Sequence, residues 1–150
     1  MLFQVLNPHF REEILEKLKF QHFMHLMGFN LTVIEPGHVE GEMDMEVQHQ
    51  QQFGILHGGA TATVADIVAG FSVYTLAPPD KDVVTGEIKV TYLRPGIGKR
   101  VRAVGRVLKP GRHFSYAEAD VFVQTESGDE IHIARASTSM AIIDKFKPHR

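Results

Sequence analysis

The sequence predicts an α+β domain in which a curled antiparallel sheet wraps one long helix, and three observations predict it. Residues 60 to 77 form a nearly unbroken apolar run, ATATVADIVAGFSVYTLA, closed by Pro78-Pro79. Segments of period-two alternation lie on both sides of that run. The 150 residues suffice for one core that buries roughly 70% of the unfolded surface, and two half-sized cores would each be starved. A single domain over residues 1–150 is therefore expected, with residues 1–28 as a helical extension.

Asn7-Pro8 starts the first helix, and Phe10, Ile14, Leu18, Phe20, Phe23, Leu26 and Met27 recur at roughly helical spacing up to Gly28. From Val39 the period changes: Val39, Gly41, Met43, Met45 and Val47 alternate with Glu40, Glu42, Asp44 and Glu46. That pattern is a half-buried strand with an acidic outer face. A polar stretch, Gln48 to Leu56, then leads through His57-Gly58-Gly59 into the apolar run. The run is small and apolar almost all round, which suits a helix enclosed by other structure. Four alternating runs follow, Val84–Leu93, Val101–Leu108, Phe114–Gln124 and Ile131–Ile143, separated by Pro95-Gly96, Pro110-Gly111 and Ser127-Gly128. Their order suggests a consecutive four-stranded meander, five strands in all.

Composition removes whole classes of chemistry. Without cysteine there is no disulfide, thiolate metal site, iron-sulfur cluster or thiol nucleophile. Sixteen basic against eighteen acidic residues give a net charge of −2, so no global field draws nucleic acid or an anionic membrane. Met1 to Phe10 lacks the basic start and apolar core of a secretory signal, and no apolar stretch approaches a membrane span, so a cytoplasmic protein is expected. Neither G-x-S-x-G nor the phosphate-cradling G-x-x-x-x-G-K-[ST] occurs. Gly96-Ile97-Gly98 continues Lys99-Arg100 with no third glycine. His22 and His25 find no third ligand nearby, so no metal site is expected.

The informative segment is HGGATATVAD, His57 to Asp66. Paired glycines entering a helix let another molecule approach the backbone closely, and first-turn amides are free donors to an anion or oxyanion. Asp66 places a carboxylate among Val64, Ala65, Ile67 and Val68, which is costly unless it is paired or faces a cavity. Gly59 and Asp66 are seven residues, two turns, apart. They share a face but stand roughly 10 Å apart along the axis. If both serve one reaction, the second set comes from another copy of the chain with its helix antiparallel, which implies a site shared across a two-fold dimer. Lys89, Arg94, Lys99, Arg100, Arg102, Arg106, Lys109 and Arg112 put half of the sixteen basic residues between positions 89 and 112, with no acid from Ile88 to Ala117. Two readings of this band stay open: phosphate recognition, or a solvated strand face balanced by the acidic Val39–Val47 strand.

With these residues in place, the chain resembles the hotdog-fold acyl-CoA thioesterases, in the branch of the phenylacetate-pathway (PaaI) enzymes and thioesterase superfamily member 2. The likeness runs from Met27-Gly28 to Ile143. It rests on HGGATATVAD together with Val84-Thr85-Gly86-Glu87, Val90-Thr91-Tyr92-Leu93-Arg94-Pro95 and Lys109-Pro110-Gly111-Arg112. The resemblance implies a hotdog fold, homodimers joined through their sheets, and often homotetramers. It implies Asp66 as nucleophile or general base and the Gly58 amide of the partner's helix as the group that polarises the carbonyl. It also implies a water-assisting role for Thr85. Family members carry an Asn six residues before the motif histidine, and here that position is Gln51, with Gln50 and Gln52 beside it. Tyr92, Leu93, Arg94, Pro95, Lys109, Gly111, Arg112 and His113 fall where the family cradles CoA. His57 is favoured as an orienting residue over a base.

The expected reaction is hydrolysis of an acyl-CoA, its acyl group a small aromatic or a medium to long chain, with no cofactor beyond the CoA of the substrate. Two alternatives are a hotdog hydratase or dehydratase, and a non-catalytic acyl-CoA-binding regulatory module.

Overall fold

The computed structural model describes residues 2–147. In place of one N-terminal helix there are two, α1 (Phe10–Leu18) and α2 (His22–Met27). Phe10 and Ile14 of α1 and Met24 of α2 enter the core, whereas Phe20 and Phe23 stay exposed. Continuing the first helix would have kept the apolar spacing but not its burial. The chain instead turns at Lys19-Phe20-Gln21, where the Phe20 and Gln21 amides donate to the Lys17 and Leu18 carbonyls. Gly28 closes α2 in a left-handed conformation, φ 72°.

Six strands follow: β1 (Asn30–Glu35), β2 (His38–Asp44), β3 (Lys81–Tyr92), β4 (Arg100–Lys109), β5 (Phe114–Gln124) and β6 (Glu130–Asp144), with α3 (Gly58–Tyr74) between β2 and β3. All pairings are antiparallel, in the order β1-β2-β4-β5-β6-β3. The sheet curls round α3, the hotdog arrangement. β1 is the sixth strand that alternation misses, because a bulge between Leu31 and Val33 breaks its period.

The expected four-strand meander is corrected to three. β4, β5 and β6 are consecutive, but β3 lies beyond β6 at the sheet edge, and the segment after it returns across the domain to place β4 beside β2. Pro95-Gly96 therefore belongs to a crossover and not to a hairpin. Gly96 and Gly98 let that crossover pass tightly: a Cβ on Gly96 would lie 2.8 Å from Leu56 Cβ, and one on Gly98 2.2 Å from the Gln124 carbonyl oxygen. The other two turns join β4 to β5 and β5 to β6 as expected.

The wrap is tightest at β4, where a Cβ on Gly105 would stand 2.3 Å from the Val68 carbonyl oxygen of α3. Ala103, Ala117, Ala119 and Ala136 line the same inner face. These small residues let Val64, Ala65, Val68 and Ala69 of α3 be fully buried. One stripe of α3 escapes: Gly59, Ala62, Thr63, Asp66, Ile67 and Gly70 keep partial or full exposure. Among the described residues no helix is long and apolar enough to cross a membrane.

Candidate active site

The uncovered stripe of α3 carries two features, one at its start and one two turns further on. At the start, His57 is the N-cap in extended conformation, and its ring Nδ1 accepts the Gly59 N–H at 2.8 Å. A Cβ on Gly59 would sit 3.0 Å from that nitrogen, so the second glycine makes room for the cap. The imidazole therefore serves as the cap of the first turn of α3. The Gly58 N–H has no acceptor among the described residues, as the first helical amide requires. The phenol of Tyr92 donates to the Gly58 carbonyl at 2.7 Å, tying the end of β3 to the helix start.

A cavity of about 390 Å³ lies at this helix start, lined by Gln51, Gly58, Tyr92, Leu93, Arg94 and Pro95 among others. Gln51 is the glutamine that reaches it, while Gln50 and Gln52 do not line it. The Gln51 Oε1 accepts the Phe53 N–H, which holds the side chain in its own turn. Arg94 is steadied by a bond from Nη1 to the His132 carbonyl, 2.9 Å.

Two turns along the helix, Asp66 is half-buried and its Oδ1 accepts the Thr85 hydroxyl at 2.7 Å. β3 presents Thr85 to the helix because a bulge follows, between Thr85 and Glu87. Gly86 inside an alternating run is the sequence signal of that bulge. Asp66 and Thr85 belong to a second cavity, about 470 Å³, which continues along α3 past Gly70 to Tyr74 and is bounded by Lys17 and Gln21 of the N-terminal segment. Sequence reasoning missed this contribution of residues 1–28, since nothing local marks where a separate helix will dock.

Gly58 and Asp66 thus stand at the start of α3 and about two turns along it, and line different cavities of the same chain. Lys109, Gly111, Arg112 and His113 are not brought together with Tyr92–Pro95 either. They form the β4–β5 turn at the opposite end of α3, where Gly111 and Arg112 join Val73, Leu76 and Pro78 round a further cavity. A 17-residue helix, about 25 Å long, separates the two groups.

The basic band divides. Arg100 and Arg102 bridge to Asp44, Glu42, Glu40 and Glu130, and Arg106 bridges to Glu118 and Asp120, so these three balance carboxylates on the outer face of the sheet. Lys89, Arg94, Lys99, Lys109 and Arg112 have no carboxylate within bridging distance among the described residues. His22 and His25 pack edge to face, and His25 contacts the Leu18 carbonyl.

Residues 53–128 match the family model described as the thioesterase superfamily. The proofreading thioesterase EntH of Klebsiella pneumoniae is 31% identical over 114 residues, covering 76% of this chain and 82% of that protein. Human acyl-coenzyme A thioesterase 13 is 30% identical over 113 residues, 74% of this chain and 80% of that protein. Among solved structures, a thioesterase family protein from Silicibacter pomeroyi superposes with a TM-score of 0.88 at 29% identity, covering 91% of this chain and 99% of that one. The PaaI protein of Escherichia coli shares the fold at a TM-score of 0.79 and 14% identity, over 92% of this chain and 96% of that one.

Proposed function

The chain belongs to the thioesterase superfamily, and from that premise we propose that it hydrolyses acyl-CoA thioesters at a site built by two copies of itself. The observation that carries this is the pairing of Asp66 with Thr85 on the uncovered stripe of α3, two turns from the unpartnered Gly58 amide. In one chain the two groups open into separate cavities. An antiparallel second copy of α3 brings the Asp66 of one subunit to the Gly58 of the other.

The sheet edge supports such a partner. β3 pairs with β6 on one side only, and Val84 to Glu87 in its middle are exposed. A 12-residue edge strand leaves a row of unpaired backbone groups that a second β3 would satisfy. Antiparallel pairing across a two-fold axis sets the start of one β3 beside the end of the other. The Lys109–His113 turn, which lies near the start of β3, then approaches the partner's Tyr92–Pro95, and the cationic groups left unpaired in each chain meet around one CoA.

In this reading the thioester carbonyl oxygen accepts the Gly58 N–H at the positive end of α3, which stabilises the charge that develops on attack. Asp66 of the other subunit, oriented by Thr85, attacks the carbonyl carbon to give a mixed anhydride or takes a proton from water that attacks in its place. In the first route CoA leaves as a thiolate that takes its proton from solvent, and water then hydrolyses the anhydride to the free acid and restores the Asp66 carboxylate; in the second, the proton taken by Asp66 passes to the departing sulfur. The His57 Nδ1 is taken up in capping Gly59, which ties the ring to the helix start and favours an orienting role over the catalytic histidine that a hydratase reading needs.

The test is complementation between two inactive chains. Asp66→Asn removes the carboxylate, and Gly58→Pro removes the amide donor at a position where proline suits a helix. Each alone is expected to be inactive. Randomly mixed after unfolding and refolding, they regain about a quarter of wild-type activity, because half the dimers contain one intact shared site. No recovery in mixtures shown by mass to contain heterodimers overturns the shared site. Native mass measurement also separates dimer from tetramer.

A further inference from the structure

Gly70 lies inside α3, one turn before its C-terminal end, where glycine is disfavoured relative to alanine. The fold does not demand it: a Cβ at this position would meet nothing closer than Met140 Cε at 3.9 Å, an ordinary contact. What Gly70 does line is the 470 Å³ cavity that begins at Asp66, and it stands one turn beyond the carboxylate on the same face. The missing side chain leaves space beside the reacting group.

Around Gly70 the cavity wall is apolar at Ile67, Phe71, Val83, Val84 and Phe146. At its far end the N-terminal segment closes it. Lys17 Nζ donates to Asp82 at 2.9 Å and lies 5.2 Å from the centre of the Tyr74 ring, while the Tyr74 hydroxyl donates to Glu13 at 2.8 Å. These contacts fasten α1 to α3 and β3, and Gln21, at the α1–α2 break, completes the wall. From Asp66 to Tyr74 the helix advances eight residues, about 12 Å.

Resting on the hydrolase reading above, we infer that the acyl group lies along this groove, passing over Gly70 and ending against Gln21 and Lys17. Gly70 is then the residue that admits a broad acyl body, and the N-terminal helices set its maximum length. The substrate class is an apolar acyl group, an aromatic ring or a chain spanning about two helical turns. A volume of this size and lining suits such a ligand. Short acyl groups leave the groove empty, and long chains meet the Lys17–Asp82 pair.

The experiment is a series of acyl-CoA substrates, from acetyl through medium and long straight chains to phenylacetyl, assayed with wild type, Gly70→Ala, Gly70→Leu, Gln21→Ala and Asp66→Asn. Gly70→Ala is expected to raise Tm by about 3 °C, through better helix propensity. It should also shift the kcat/KM ratio of the best substrate over acetyl-CoA at least tenfold towards acetyl, with Gly70→Leu shifting it further. Gln21→Ala should move the chain-length optimum upward. Unchanged ratios in both Gly70 variants overturn the inference, as does a fall in Tm for Gly70→Ala, which would show that the fold itself needs the glycine. Those results leave the site reading standing as long as Asp66→Asn is inactive on every substrate. An active Asp66→Asn removes both.

Discussion

Asp66 and Asp120 are both carboxylates set in apolar stretches, and their surroundings are opposite. Asp120 points to the outer face of the sheet and is 4% exposed. It is held by Arg106, by Arg135 at 2.8 Å, and by His132, whose Nε2 lies 2.7 Å away but off the direction of a good hydrogen bond. Burial alone would raise its pKa, but the hydrogen bonds and charges of Arg135 and Arg106 outweigh it and bring the carboxyl to about 2. Asp66 lies on the uncovered stripe of α3 with one hydroxyl as its partner and a cavity in front of it. A carboxylate buried between two guanidinium groups that bond to both of its oxygens is set to hold structure. One with free lone pairs beside open space is available to a substrate.

Breaking each environment in turn should separate the two roles. Asp66→Asn is expected to lower kcat by about 10³-fold or more while leaving the thermal melt close to wild type. A melt that collapses with activity would make Asp66 structural like Asp120. Thr85→Ala removes a bond to a charged group and should cost about 10- to 100-fold in kcat, with Thr85→Ser recovering most of it. Equal activity of the alanine and serine variants would show that the hydroxyl has no part.

Asp120→Asn should do the reverse, destabilising the fold by about 2 kcal/mol at neutral pH with kcat per folded molecule retained. The folded-state pKa lies below the ordinary value of 3.8, so this stability is present above pH 4 and is lost as pH falls towards about 2. Urea titrations of wild type and variant should differ at pH 7 and converge near pH 2. A gap that persists at low pH would trace the stabilisation to packing and not to charge. The smallest effect is expected from Tyr92→Phe, which frees the Gly58 carbonyl and should cost about 2- to 10-fold in kcat/KM. No change would mean that the helix start is positioned without β3.

The asymmetry between the two aspartates explains what was legible in the chain. Asp66 stands out because its neighbours within one helix are apolar, and helical spacing alone puts it on the face of Gly59. Asp120 does not stand out. It occupies an outward position of an alternating strand, where a charge is ordinary, and its burial comes from Arg106 on β4 and from His132 and Arg135 on β6. The basic window from Lys89 to Arg112 was visible as a band, yet its division into paired and unpaired cations depends on which strands become neighbours. Apolar spacing alone carries the first helix through Phe20, which the fold leaves in solvent, because spacing does not say whether a surface exists to bury it.

By itself the sequence determined the relations inside each element: the two-turn interval between the Gly58-Gly59 start and Asp66, the alternating faces of the strands, and the exclusion of thiol chemistry. Helix and strand geometry are the same in every protein, so a residue's spacing states its relative direction. Tertiary structure decided what meets across elements: Thr85 on Asp66, Tyr92 on Gly58, Lys17 and Gln21 at the end of the groove, and β3 at the edge of the sheet. Those meetings depend on strand order, on a bulge that shifts the register of one strand, and on where a separate helix finds a surface to bury its apolar side. Each is settled by the free energy of the whole packed domain and leaves no periodic mark in the chain.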